Sequence, residues 1–180
     1  MRRVIVSNVV SLDGFFEGRD KTLDWFVPDE EFFEYAKGML RSVDTILFGR
    51  ITYQHMAGYW PSAPAGEIAD KMNNLPKIVF SKSLEKAEWN NSRLVKSSPA
   101  EDVPKLKQQP GKDMVILGSA TLASFLLQLG LIDEYRVILN PVLIGAGNPL
   151  FKGIKHRLAL KLQQTKLFAS GVVVLYYQKA

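Results

Sequence analysis

The chain opens with Val4-Ile5-Val6-Ser7-Asn8-Val9-Val10, a β-branched and mostly apolar run that ends at Ser11-Leu12-Asp13-Gly14. That is the pattern of a strand buried on both faces and closed by a turn. A polar, glycine-containing stretch follows. Asp29-Glu30-Glu31 then precede Phe32, Phe33, Ala36, Met39, Leu40 and Val43, whose three- and four-residue spacing predicts a helix over Asp29 to Arg41 with acids at its positive end. Thr45 to Phe48 reads as a strand closed by Gly49-Arg50, Thr52 to Ala57 as a short helix before Pro61, and Gly66 to Asn74 as a third helix. Lys77 to Phe80 and Arg93 to Val95 read as strands, and residues 100–109 as an amphipathic helix stopped by Pro110-Gly111.

Met114 to Leu117 then runs into the small residues Gly118-Ser119-Ala120-Thr121 and an apolar helix that Gly130 ends. Strand, helix and strand at this spacing imply a parallel sheet, because parallel neighbours need a crossover connection. The tail breaks the alternation. Tyr135 to Leu139, Ala159 to Gln163 and Val172 to Gln178 are strands without helices between them, the last two joined near Ala169-Ser170-Gly171 as an antiparallel hairpin. The expectation is one α/β domain over residues 1–180, with a mixed, mostly parallel sheet, helices on both faces and an antiparallel C-terminal hairpin.

Composition narrows the chemistry. The 180 residues include no cysteine and only His55 and His156 as imidazoles. That excludes disulfides, thiolate nucleophiles and cysteine-ligated metals, and argues against a multi-histidine metal centre. Polar residues interrupt the first apolar run too early for a signal peptide, and no run approaches membrane-span length, so the expectation is a cytoplasmic protein without a membrane partner. The net charge of +5 is uneven: residues 1–134 carry 16 basic and 18 acidic residues, whereas 135–180 carry seven basic residues and no acid. Arg136, Lys152, Lys155, Arg157, Lys161, Lys166 and Lys179 suit strand edges, where lysine discourages edge pairing, better than a nucleic-acid surface, because no aromatic cluster is interleaved with them. The alternative function they leave open is a non-catalytic nucleotide or nucleic-acid binder.

In an open α/β sheet, ligands bind beyond the carboxyl ends of the strands. Gly118-Ser119-Ala120-Thr121 stands at one such end, where small residues let a phosphate approach unpaired helix N–H groups; the same residues also serve as an ordinary N-cap. Gly49-Arg50-x-Thr52 and Ser81-Lys82-Ser83 add cations and hydroxyls at two more ends, and Arg50, Ser81 and Lys82 suit a 2′-phosphate. Asp13 either steadies its turn or places a carboxylate in the cleft, and Asp29 to Glu31 fit helix N-terminal acids. Trp25, Tyr53, Tyr59 and Trp60 either stack a flat heterocycle or pack as core and rim.

In this order and spacing the segments Val9 to Gly14, Asp44 to Tyr53, Lys77 to Lys82, Val115 to Leu122, Gly130 to Tyr135 and Asn140 to Gly147 resemble a stand-alone member of the dihydrofolate reductase-like superfamily. More narrowly, they resemble the reductase domain of the bifunctional riboflavin-biosynthesis deaminase/reductase. The resemblance implies an NADPH-dependent reductase of a small pyrimidine- or pterin-like substrate, and a homodimer without nucleic acid. It further implies cofactor contacts from Val10, Gly49, Arg50, Thr52, Ser81, Lys82, Gly118, Ser119, Ala120, Thr121 and Leu122. Ser11, Gly14, Trp25 and Tyr53 would border the substrate, and Asp13 or Asp29 would serve the proton transfer. The chain departs from the riboflavin reductases at Leu117, where they carry a glutamate.

Overall fold

The computed structural model describes residues 1–180. The first predicted strand is β1 (Val4–Ser11), and the short β2 (Phe15–Gly18) follows its turn. Asp29 caps α1 (Glu30–Ser42) by accepting the Phe32 amide at 2.7 Å, as the acids at that position led one to expect. Then come β3 (Val43–Gly49), α2 (Arg50–Tyr59), α3 (Glu67–Asn74), β4 (Lys77–Phe80) and β5 (Ser92–Val95). The chain continues through α4 (Pro99–Gln108), β6 (Asp113–Leu117), α5 (Ala120–Gln128), β7 (Glu134–Asn140), β8 (Gly147–Pro149), β9 (Leu160–Leu167) and β10 (Val173–Lys179).

Eight strands form one sheet in the order β5-β4-β3-β6-β1-β7-β10-β9. It is parallel from β5 to β7, and β10 then pairs antiparallel with both β7 and β9. Alternation along the strands divides the core. Val4, Val6, Leu47, Met114 and Ile116 face α4 and α5, whereas Ile5, Ile46, Phe48, Val79 and Val115 face α1, α2 and α3. Right-handed crossovers require this split, since connections moving one way along the sheet place their helices on one face and those moving back place them on the other. Ile5, Ile46 and Val115 are fully buried, and each contributes roughly 1.5–3 kcal/mol from apolar burial.

The antiparallel end is thinner. Tyr35 and Phe32 of α1 cover Ile138, Val174 and Phe168 on one face, while Leu167 on edge strand β9 is 70% exposed. Lys161 and Lys166 lie on that edge strand, as the edge-protection argument requires, but Arg136 does not act as a free cation: its Nε donates to Glu134 at 2.6 Å. The pairing of β2 with β8 was not anticipated; neither segment was read as a strand. Gly147 makes it possible, because a Cβ there would stand 2.1 Å from the Glu17 carbonyl oxygen.

Candidate functional site

The β1–β6 ladder stops at Ser7 opposite Leu117, while β1 continues along β7 to Ser11 opposite Asn140. From β1 the chain crosses by way of α1 toward β3, and from β6 it crosses by way of α5 toward β7, in the opposite direction. A crevice therefore opens beyond the carboxyl ends of β1 and β6, at a topological switch point.

Gly118 (φ +61°) and Ser119 (φ +46°) both take left-handed backbone as β6 turns into α5. A Cβ on Gly118 would lie 2.7 Å from Thr52 Cγ2, so glycine is needed for space as well as for conformation. The neighbouring strand end locks this turn: the Ser119 amide donates to Thr52 Oγ1 at 2.9 Å, and the Gly49 amide donates to Ser119 Oγ at 3.0 Å. Neither α2 nor α5 has a side-chain cap, so two helix N-termini stand at adjacent strand ends with first-turn N–H groups unclaimed by any cap. Here the geometry departs from the sequence expectation. Ser119 is 6% exposed, and it and Thr52 spend their oxygens on backbone amides, which leaves the helix amides rather than these acceptors to meet an anion.

Beside α2, a groove of about 690 Å³ is lined by Arg50, Gln54, Ser83, Glu85, Lys86 and Glu88. Arg50 is exposed and spends one N–H on Gln54 Oε1 at 3.1 Å, leaving the rest of its guanidinium to the groove. Lys82 is also exposed, but Ser81 Oγ accepts the Leu84 amide at 3.0 Å and so shapes the loop. Glu85 and Glu88 escaped the sequence reading because nothing in their local pattern ties them to a strand end.

The carboxylates expected to handle protons are otherwise engaged. Asp13 accepts from Ser11 Oγ at 2.6 Å, from the Gly145 amide at 2.8 Å and from the Ile144 amide at 3.3 Å. The Ser11 hydroxyl, then those amides, hold its carboxyl below the ordinary range. It ties the β7–β8 loop to the β1 turn. Asp29 is likewise held low, by the Ser170 hydroxyl and the Phe32 amide. It belongs to the junction of α1 with the β9–β10 turn, where Glu31 accepts the Ala169 amide at 2.5 Å. Tyr53, expected to border the substrate, is placed in the core, 4% exposed and packed with Phe48 and Trp89, with its hydroxyl accepting the Trp89 amide at 3.0 Å. Val10 is buried at 3%, and Gly14 (φ +88°) makes the bend after Asp13. Trp25 is half-buried, with an indole N–H shielded from solvent and without an acceptor. Leu117, in place of a glutamate, packs against the apolar cluster under α1.

A model of the RibD C-terminal domain matches residues 2–174. The chain is 38% identical over 184 residues to the uncharacterized protein YyaP of Bacillus subtilis (strain 168), across 98% of this chain and 94% of that one. Among solved structures it is similar to a Shewanella sp. PV-4 protein named for riboflavin biosynthesis, with a TM-score of 0.80 at 21% identity over 99% of both chains. It also resembles a dihydrofolate reductase of Enterococcus faecalis complexed with NADP(H), with a TM-score of 0.65 at 16% identity over 98% of this chain and 96% of that one. No helix is long and apolar enough to cross a membrane.

Proposed function

The chain belongs to the RibD C-terminal domain family and has a dihydrofolate reductase-like fold, and from that premise we propose that it is an NADPH-dependent reductase of a small, flat, nitrogen-rich substrate of the pyrimidine or pterin kind. The observation that carries this reading is the pair of uncapped helix starts at neighbouring strand ends, interlocked through Gly49, Thr52 and Ser119. The amides of Ala120, Thr121 and Leu122 and the start of α2 fit a pyrophosphate, because unpaired N–H groups and the helix dipole both favour negative charge. Arg50, at the groove beside α2, and the exposed Lys82 after β4 fit a 2′-phosphate. The cofactor would supply the hydride, and the protein's contribution is position and a water-poor cleft.

The buried, acceptor-less indole N–H of Trp25 suits a substrate carbonyl or ring nitrogen. Asp13 serves in this reading as the ionised post that holds the 144–145 segment beside the crevice; the proton comes from water. A homodimer is part of the proposal, supported by the exposed side chains of Leu162 and Leu167 on β9 (47% and 70%), which would pack through their apolar surface and not by pairing of the lysine-bearing edge. Sedimentation at micromolar concentration should show twice the monomer mass.

Quenching of tryptophan fluorescence by NADPH and by NADH tests the site. Saturable quenching by NADPH at lower concentration than NADH is expected; absence of binding by either up to millimolar concentration would overturn the proposal.

A further inference from the structure

Asn8 stands in the middle of β1, 5% exposed, and nothing in the apolar run around it explains an amide there. Its position relative to β6 does. The last ladder pair is Ser7 with Leu117; one residue further on, Gly118 leaves the strand and no β1 backbone group meets it. In that gap the Asn8 amide replaces the missing strand. Its Oδ1 accepts the Gly118 N–H at 2.5 Å, and its Nδ2 donates to the Gly118 carbonyl at 3.0 Å. Both polar groups of one peptide residue are thus held by both polar atoms of one side chain, at the residue whose φ of +61° starts the turn into α5.

We propose that Asn8 is a positioning residue for the dinucleotide site: by gripping Gly118 from the β1 side it fixes the direction in which the first-turn amides of α5 point. This rests on the proposed phosphate role of that turn. Thr52 and Ser119 brace the turn from the β3 side, so the cradle is held on both flanks and its amides need no reorganisation when an anion arrives. Asn8 itself touches no ligand. Its chemistry is demanding because the position needs one donor and one acceptor, side by side, within a buried strand. Aspartate has the right shape but, when ionised, only accepts, and it would set its charge against the Gly118 carbonyl oxygen. Protonated aspartic acid restores the donor.

The test uses the Asn8→Asp and Asn8→Ala variants, with NADP+ as the acid-stable probe, and takes the ratio of variant to unaltered Kd across about pH 8 to about pH 5. At the upper end both variants should bind roughly tenfold or more weakly, the size of one lost buried hydrogen-bond pair. On acidification the ratio for Asn8→Asp should fall toward one while that for Asn8→Ala stays high. A purely structural role would lower Tm in both variants without this pH signature. Ratios near one for both variants, or a ratio for Asn8→Asp that does not change with pH, would overturn the proposal. Amide hydrogen exchange on the ligand-free protein separates the two levels of inference. Faster exchange at the Gly118 and Ser119 amides in Asn8→Asp at pH 8, restored at pH 5, is expected even if the unaltered protein binds no dinucleotide, in which case the phosphate reading alone fails. Unchanged exchange there removes Asn8 from its role.

Discussion

The two turns that flank the crevice use the same materials in opposite ways. At the end of β6 the side chains of Asn8, Thr52 and Ser119 are spent on fixing backbone, and the first-turn amides of α5 are left uncapped. At the end of β1 the order is reversed: the amides of Ile144 and Gly145 are spent on a side chain, and the Asp13 carboxylate accepts them together with the Ser11 hydroxyl. The first arrangement leaves donors for an incoming anion; the second gives a carboxylate its donors from within the protein. A carboxylate at a strand end is therefore no sign of acid–base chemistry until its donors are counted, and a run of small residues is a candidate anion site only when the neighbouring strand end has taken over its caps.

This contrast can be broken most severely at Gly118. Gly118→Ala places a methyl group 2.7 Å from Thr52 Cγ2 in left-handed backbone, and NADPH affinity should fall by about 30-fold or more in quenching titrations. Unchanged affinity in a folded variant would mean that the α5 turn is no anion site. Next in size, Arg50→Ala combined with Lys82→Ala should weaken NADPH by roughly tenfold while leaving NADH nearly unaffected, as loss of charge-assisted contacts to one phosphate requires. Equal losses for the two cofactors would place the 2′-phosphate elsewhere.

Asp13→Asn sharpens the comparison from the other turn. Dinucleotide Kd should stay within about threefold of the unaltered value, since the residue serves the loop and not the anion. Exchange at the Ile144 and Gly145 amides should accelerate. Because the folded carboxyl is held below its unfolded value, the stability it contributes is present above about pH 4 and is lost as pH falls through the lower folded value. Urea titrations from neutral to acid pH should show that loss in the unaltered protein and not in Asp13→Asn.

The smallest effect on ligand should come from Lys77, at the opposite end of the sheet. Its ammonium is buried, donates to the carbonyls of Asn73, Leu75 and Asn90 at 2.8 to 3.0 Å, and sits 4.3 Å above the Trp89 ring. Burial pushes it down to about 8. Between that value and its unfolded value of about 10.5 the unfolded chain binds the extra proton, so stability at this position rises with pH. Lys77→Met should remove the pH dependence over that range and leave NADPH affinity unchanged; a change in affinity would show that the sheet couples its two ends.

Strands and helices were legible wherever burial acts on consecutive residues. Lys77 to Phe80 appears with its predicted ends because all four side chains are buried, and the Asp29 cap was readable because capping is local. The pairing of β2 with β8 was not, since half-buried segments of four and three residues have no periodicity and their partners lie about 130 residues apart. In sequence Tyr53 was open between stacking a heterocycle and packing as core or rim, and the fold puts it in the core, because a helical residue's facing depends on what the helix packs against. Asn8 left only a faint signal: with Ser7 it is one of two adjacent polar residues inside an otherwise apolar run.

By itself, then, the sequence determined the alternation of strands and helices, the antiparallel tail and the strand ends at which small and cationic residues collect. These follow from short-range sterics and from the period of burial. Only the tertiary structure decided which of those residues face a ligand and which face one another. A hydroxyl or carboxylate is satisfied by whichever donor or acceptor folding brings within 3 Å, and at Ser119, Thr52, Asp13 and Asn8 that partner comes from a different strand or loop.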